Sequence, residues 1–123
     1  VLRFIGREFD DPLVQKDLWR YPFQLQKEKQ TGKILFRICL RDSIALYSPI
    51  QVLAHILRTL SGLVSDNYDE KVRNVVVSIP IGFLSQQRKA VLSACRLADL
   101  NCLRLESSIA MTSLCYAFQD SCW

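Results

Sequence analysis

The run VRNVVVSIP, residues 72 to 80, most restricts what this chain can fold into. Neighbouring β-branched side chains with no polar alternation predict a strand covered on both faces, because successive residues of a strand point to opposite sides of the sheet. A helix is expected from about Ser85 to Ala98, with Leu84, Val91, Leu92 and Cys95 facing inward. CLRL, residues 102 to 105, reads as the next strand, and IAMTSLCYAF, residues 109 to 118, as the last helix. Strand, helix, strand, helix implies parallel pairing through a right-handed crossover.

The first half has a different rhythm. In VLRFIGREF, Leu2, Ile5 and Phe9 fall at helical spacing, and Asp11 followed by Pro12 marks the start of a second short helix. From Pro22 the pattern changes: PFQLQ alternates apolar and polar, KILFRIC alternates again after the QTG break, and IALY at residues 44 to 47 is a third short run, together an antiparallel meander. SPIQVLAHILRTLSGLVSDNY opens a long helix, with Ser48 as N-cap and Pro49 at its first position. Ile50, Leu53, Ile56, Leu57, Leu60, Leu63 and Val64 lie on one stripe of it. Each such residue gains about 1.5 to 3 kcal/mol on burial, so packing outweighs the roughly 1 kcal/mol that Gly62 costs inside the helix.

Composition narrows the chemistry. At 123 residues, half of them hydrophobic, the chain is one domain or a piece of one. The net charge is +4, but its 16 Lys and Arg run scattered from Arg3 to Arg104 without a clustered stripe, which argues against a nucleic-acid partner. The run of 18 or so apolar residues that a membrane span needs is missing, so no membrane partner is expected. Cys39, Cys95, Cys102, Cys115 and Cys122 are odd in number and contain no CxxC pair, which fits buried thiols in a reducing compartment. Residue 1 is Val, not Met, so the true N-terminus and any targeting signal stay open.

Sites with obvious chemistry are scarce. The only histidine, His55, lies on the long helix without a nucleophile beside it and reads as structural or superficial. Asp66, Asp69 and Glu70 lack the glycine and spacing of a calcium loop and read as a solvated turn. Gly6, Gly32, Gly62 and Gly82 are isolated, so no segment here wraps a triphosphate alone. The turn Pro80-Ile81-Gly82-Phe83, with Arg88 one turn into the next helix, is either functional or a plain strand exit.

Taken in order, GREFDDPLVQKD, YPF at residues 21 to 23, SP opening the long helix, and VRNVVVSIPIGFLSQQRKAVLSACRLADLNCLRL resemble the nucleotide-binding domain of the 70-kDa heat-shock chaperone family. The resemblance is collinear from about Arg3 to Tyr116. LNCLRL, with Cys102, and the isoleucine of VSIP are more similar to the 110-kDa subfamily, relatives that act as nucleotide exchange factors and holdases. The implied fold is α/β: part of an actin-like ATPase (ribonuclease H-like) lobe, with a small antiparallel meander and long helix followed by a parallel β-α-β-α layer. Residues 1–71 then belong to the outer part of a single partial domain and residues 72–123 to its base. In the family, one Gly-rich phosphate loop precedes this stretch, and a second loop with the adenosine pocket follows it.

What the resemblance carries to individual residues is limited. Leu2 stands where the family has a catalytic lysine, and Arg3 matches the neighbouring basic residue. Ser107 and Ser108 fall on the asparagine and glutamate of a segment that orders magnesium and water around the phosphates. Glu106 lies two positions early, a displacement of about 6 to 7 Å along a strand, too far for magnesium-shell geometry. Pro80 and Arg88 match a proline and an arginine that relay nucleotide state between domains, although Gly82 replaces a usual aromatic. Asp99 replaces a glycine at a helix end, where aspartate can adopt the left-handed conformation, and Ala117 replaces another.

The expectations are therefore these. Intact relatives use ATP and Mg2+, but this chain alone has no catalytic residue, no metal ligand and no tight nucleotide binding. Its partners are other heat-shock chaperones or unfolded polypeptide, with self-association through an exposed face of the lobe. The cytoplasm is the expected location, with the nucleus as a second. At the junction LESSIA, Ser107 or Ser108 is expected to cap the last helix.

Overall fold

A computed structural model describes residues 1–39, 41 and 43–120, apart from the side chains of residues 119 and 120. Cys122 and the end of the QDSCW segment lie outside the described residues.

The chain does not begin with a helix. Phe4 and Ile5 N–H both donate to the Val1 carbonyl, Gly6 adopts φ 67°, and the backbone leaves the turn to form a bridge between Glu8 and Lys33. The apolar spacing that suggested a helix serves another purpose: Ile5 enters one core, Phe9 packs beside Phe4 on another, and Leu2 is exposed. The first helix, α1 (Pro12–Asp17), starts as expected, with the Asp11 carboxylate accepting from Leu13 N–H at 2.9 Å. A 3-10 turn, Leu18–Arg20, follows it.

The meander is present as three antiparallel strands, β1 (Gln24–Lys27), β2 (Ile34–Cys39) and β3 (Ile44–Tyr47), in that spatial order. Opposed residues share a face, so Leu25, Phe36 and Tyr47 stand in one row across the sheet. Beneath it, Phe4, Val14, Ile34 and Phe36 form a buried core. Phe4 meets Tyr21 and Phe36 edge to face at 5.7 and 5.9 Å, while Tyr21 stacks on Phe23 at 5.0 Å.

Helix α2 (Pro49–Tyr68) is opened by a reciprocal cap: Ser48 Oγ accepts from Gln51 N–H, and Gln51 Oε1 accepts from Ser48 N–H. It runs through Gly62 without interruption and ends at Asp69 in the left-handed region, φ 56°. Of the expected apolar stripe, Ile50, Leu53 and Leu57 pack inward; Ile56, Leu60, Leu63 and Val64 are exposed. The helix outreaches the element it packs on, so periodicity alone overstated the buried length.

The second half gives β4 (Asn74–Ile79), α3 (Ser85–Leu97), β5 (Asn101–Ser107) and α4 (Ser108–Asp120), with β4 and β5 parallel. Ile79, Ala90, Val91, Ala94, Cys95, Ala98 and Leu100 form the second core, joined by Ile5, Leu53 and Ala54. Alanines at 54, 90 and 94 leave room for α2 and α3 to approach, and Arg58 Nη2 donates to the Leu97 carbonyl at 2.8 Å, a cation at the end of α3.

Three expectations fail here. Strand β4 is covered on one face only: Val75, Val77 and Ile79 turn to the core, but Val76 stays 49% exposed. Leu84 does not face inward; it precedes α3 in extended backbone and is 65% exposed. Of the described cysteines only Cys95 is buried; Cys102 is half-buried, and Cys39 and Cys115 are exposed. Asp99, by contrast, sits at φ 61°, in the left-handed position its glycine-like place required.

Candidate functional site

Parallel strands collect their functional groups beyond their C-terminal ends, where loops and helix starts leave backbone donors free. In register, Ser78 lies opposite Glu106 and Ile79 opposite Ser107, so Pro80 and Ser108 leave the two strands side by side. The sequence nominees Pro80, Ser107 and Ser108 are thus brought to one edge. Their alignment depends on a bulge: Val75 pairs with Cys102 but Val76 with Arg104, which leaves Leu103 as the extra residue. The bulge lets Cys102 and Leu105, three apart, both pack on the core, and it leaves Leu103 60% exposed.

Beside that edge lies a 390 Å³ cavity lined by Leu2, Arg3, Arg7, Leu13, Asp17, Pro80, Gly82, Phe83 and Gln87. Arg3 and Pro80 therefore share one site although they lie far apart in sequence. Both arginines at the cavity have a carboxylate partner: Arg3 Nη1 to Asp17 at 2.9 Å, and Arg7 Nη1 to Asp11 at 2.7 Å. The hydrogen bond to Asp17 raises the Arg3 pKa, so the guanidinium stays charged and paired. Leu13 N–H and then Arg7 hold the Asp11 carboxyl below the usual carboxylate range. Leu2, Leu13, Pro80 and Phe83 supply the apolar part of the wall.

The remaining nominees have local duties. Arg88 does not line the cavity; its Nε donates to the Phe83 carbonyl at 3.4 Å and ties α3 to the turn after β4. Ser107 Oγ accepts from Ala110 N–H at 3.2 Å, which makes it the cap of α4 and leaves Ser108 as the first helical residue. Glu106 points its carboxylate toward Arg104, 3.8 Å away. Among the described residues, no three His, Cys, Asp or Glu side chains gather as metal ligands. His55 is exposed, with its ring 6.3 Å from that of Tyr47, and the Asp66, Asp69 and Glu70 group is solvent-exposed.

Two residues that sequence patterns passed over hold this edge together. Gln87, 2% exposed, accepts from Leu84 N–H at 3.1 Å and walls the cavity. Gly6 lies against it: a Cβ at this glycine would stand 2.6 Å from Gln87 Cα. Only the positive-φ turn could have hinted at Gly6, and the partner across the fold was not legible. Tested against a magnesium nucleotide, the donor set does not fit: Leu2 is apolar, Arg3 is paired with Asp17, and the Glu106 carboxylate is turned toward Arg104.

No described helix is long and apolar enough to cross a membrane. The family described as Hsp70 protein matches residues 1–121. The chain is 34% identical over 116 residues to "Heat shock 70 kDa protein 15" of Arabidopsis thaliana, covering 94% of this chain and 14% of that protein. It is 32% identical over 114 residues to "97 kDa heat shock protein" of Mesocentrotus franciscanus, covering 93% and 13%, and 35% identical over 114 residues to "Heat shock 70 kDa protein 16" of Arabidopsis thaliana, covering 93% and 15%. The chain thus spans about one-seventh of the curated relatives it matches. With the family pattern running through both sheets, the chain belongs to the Hsp70 protein family.

Proposed function

We propose that this chain is a segment of an ATP-binding molecular chaperone or nucleotide exchange factor of the heat-shock 70/110-kDa type, working in the cytoplasm, and that it does not hydrolyse ATP by itself. Phosphoryl transfer rests on positioned charge. The observation that carries the reading is the state of the strand edge: Arg3 is bound to Asp17, Ser107 Oγ caps α4, and Glu106 turns toward Arg104. Leu2 adds an apolar wall where the family resemblance would put a lysine. Similarity to a protein named for 97 kDa as well as to 70-kDa proteins supports the larger subfamily as one source of the resemblance.

The test is steady-state ATP turnover by the purified chain. Turnover no greater than a buffer blank is expected. Turnover above the blank that disappears in Arg3→Ala or Glu106→Gln would overturn the non-hydrolysing assignment.

A second reading, a non-catalytic interaction module, rests on a separate observation. Val76, Leu103, Ile109, Leu114, Tyr116 and Phe118 expose apolar surface on the strand pair and α4. That surface suits another heat-shock chaperone, unfolded polypeptide, the rest of the family fold or a second copy. Light scattering at tens of micromolar should show self-association; a monodisperse monomer would remove this reading.

A further inference from the structure

Helix α3 and strand β5 bring two thiols together. Cys95, on the last turn of α3, is fully buried in the core that includes Val91 and Ile79. Cys102, near the start of β5, is half-buried and packs on the same core. Both side chains enter that one core where α3 lies against β5, and Cys102 Sγ donates to the Arg104 carbonyl at 3.2 Å across the bulge. The return between them is held tightly: Leu100 N–H donates to the Cys95 carbonyl at 3.0 Å, Asp99 takes its left-handed turn, and Asn101 N–H donates to the Arg73 carbonyl at 2.8 Å. Neither thiol belongs to the cavity at the opposite end of the strands.

We propose that Cys102 and Cys95 form a peroxide-driven oxidation site, in which the two thiols close into a disulfide joining β5 to α3. Cys102, the more accessible sulfur, attacks a hydroperoxide as its thiolate. A sulfur–oxygen bond forms while the oxygen–oxygen bond breaks; the sulfur is oxidised to a sulfenic acid, and the peroxide is reduced to an alcohol, or to water when it is hydrogen peroxide. The Cys95 sulfur then displaces the sulfenic oxygen. The sulfur–sulfur bond forms, the sulfur–oxygen bond breaks, and the oxygen leaves as water with the proton from Cys95. In sum, two thiols and one hydroperoxide give one disulfide, one water and one alcohol. Burial first, and the neighbouring Cys102 second, push the Cys95 thiol up to about 11. Its thiolate is therefore scarce near neutrality, and closure accelerates as pH rises.

The proposal is independent of any nucleotide role. Its test uses the full chain with Cys39, Cys115 and Cys122 changed to Ser, treated with hydrogen peroxide and followed by intact mass and non-reducing peptide mapping. Expected is the loss of two hydrogen atoms per chain, a linked peptide pair containing residues 95 and 102, reversal by dithiothreitol, and faster closure at pH 9 than at pH 7. In Cys95→Ala the link is lost and Cys102 accumulates as a dimedone adduct. Because that change falls in the core, Cys102→Ser is the second variant, in which Cys95 should resist peroxide. A Cys102 sulfenic acid that persists with Cys95 present, or disulfides only between chains, would overturn the site. So would rapid oxidation of Cys95 in Cys102→Ser.

Discussion

The two cores of this chain are built on opposite plans. The meander core is aromatic, with Phe4 buried against Val14, Ile34 and Phe36, and edge-to-face rings fix its shape. The core around α3 is built from small residues, Ala90, Val91, Ala94, Cys95 and Ala98, which allow close approach of helix to helix and helix to sheet. The first is closed by a short local meander. The second is covered on one side of β4 and β5 and leaves Val76 and Leu103 open on the other. A parallel pair needs both faces covered, whereas an antiparallel sheet tolerates a solvated face. The contrast locates the uncovered apolar surface: on the strand pair and α4.

Residues 4 to 6 connect the two plans, and breaking that connection should have the largest effect. Gly6→Ala would put a methyl group 2.6 Å from Gln87 Cα at φ 67°. Adding about 1 to 3 kcal/mol for the left-handed backbone to about 1 to 3 kcal/mol for overpacking predicts a loss of about 2 to 6 kcal/mol by denaturant unfolding. Adjacent substitutions sharpen the comparison. Phe4→Ala should cost about 3 to 5 kcal/mol and Ile5→Ala about 2 to 5 kcal/mol. Hydrogen exchange should then accelerate first in β1 to β3 for Phe4→Ala and first in α3 for Ile5→Ala, since the two side chains enter different cores. Equal acceleration everywhere would show one cooperative unit and end the distinction.

Smaller effects distinguish capping from catalysis. Ser107→Ala should cost about 0.5 to 2 kcal/mol of stability, and Ser107→Asp, which keeps an oxygen acceptor for Ala110 N–H, should restore most of it. Failure of the aspartate to rescue would mean that Ser107 does more than cap α4. The smallest effect concerns Asp11 on the meander side. Its pKa in the folded chain is lowered by Leu13 N–H and Arg7, so its stabilising contribution is present above the unfolded carboxylate value. That contribution is lost as pH falls through the lowered folded value, and Asp11→Asn should flatten this part of an acid titration of stability.

Much of the fold was legible because it is local. Asp11 before Pro12, Ser48 before Pro49, and Ser107 ahead of an apolar run each satisfy a helix start within three residues, and each does so here. The three short runs also pair as strands in the expected order. The strand edge was legible only in part. Family likeness nominated Pro80 and Ser107, and strand register put Pro80, Ser107 and Ser108 at one edge. The bulge at Leu103 was not foreseen, because a local insertion in a ladder depends on which partner residues it must match.

The sequence by itself therefore determined the order of elements from α1 onward and the starts of α1, α2 and α4, set by chemistry between near neighbours, while family likeness marked the left-handed turn at Asp99. Tertiary structure decided which apolar stripes found partners: the second half of α2 and one face of β4 did not, although their periodicity matches that of buried segments. It also paired Arg3 with Asp17, laid Gly6 on Gln87 and brought Cys95 and Cys102 into one core. Those relations depend on where separate elements meet in space, and a one-dimensional pattern carries no distance between elements.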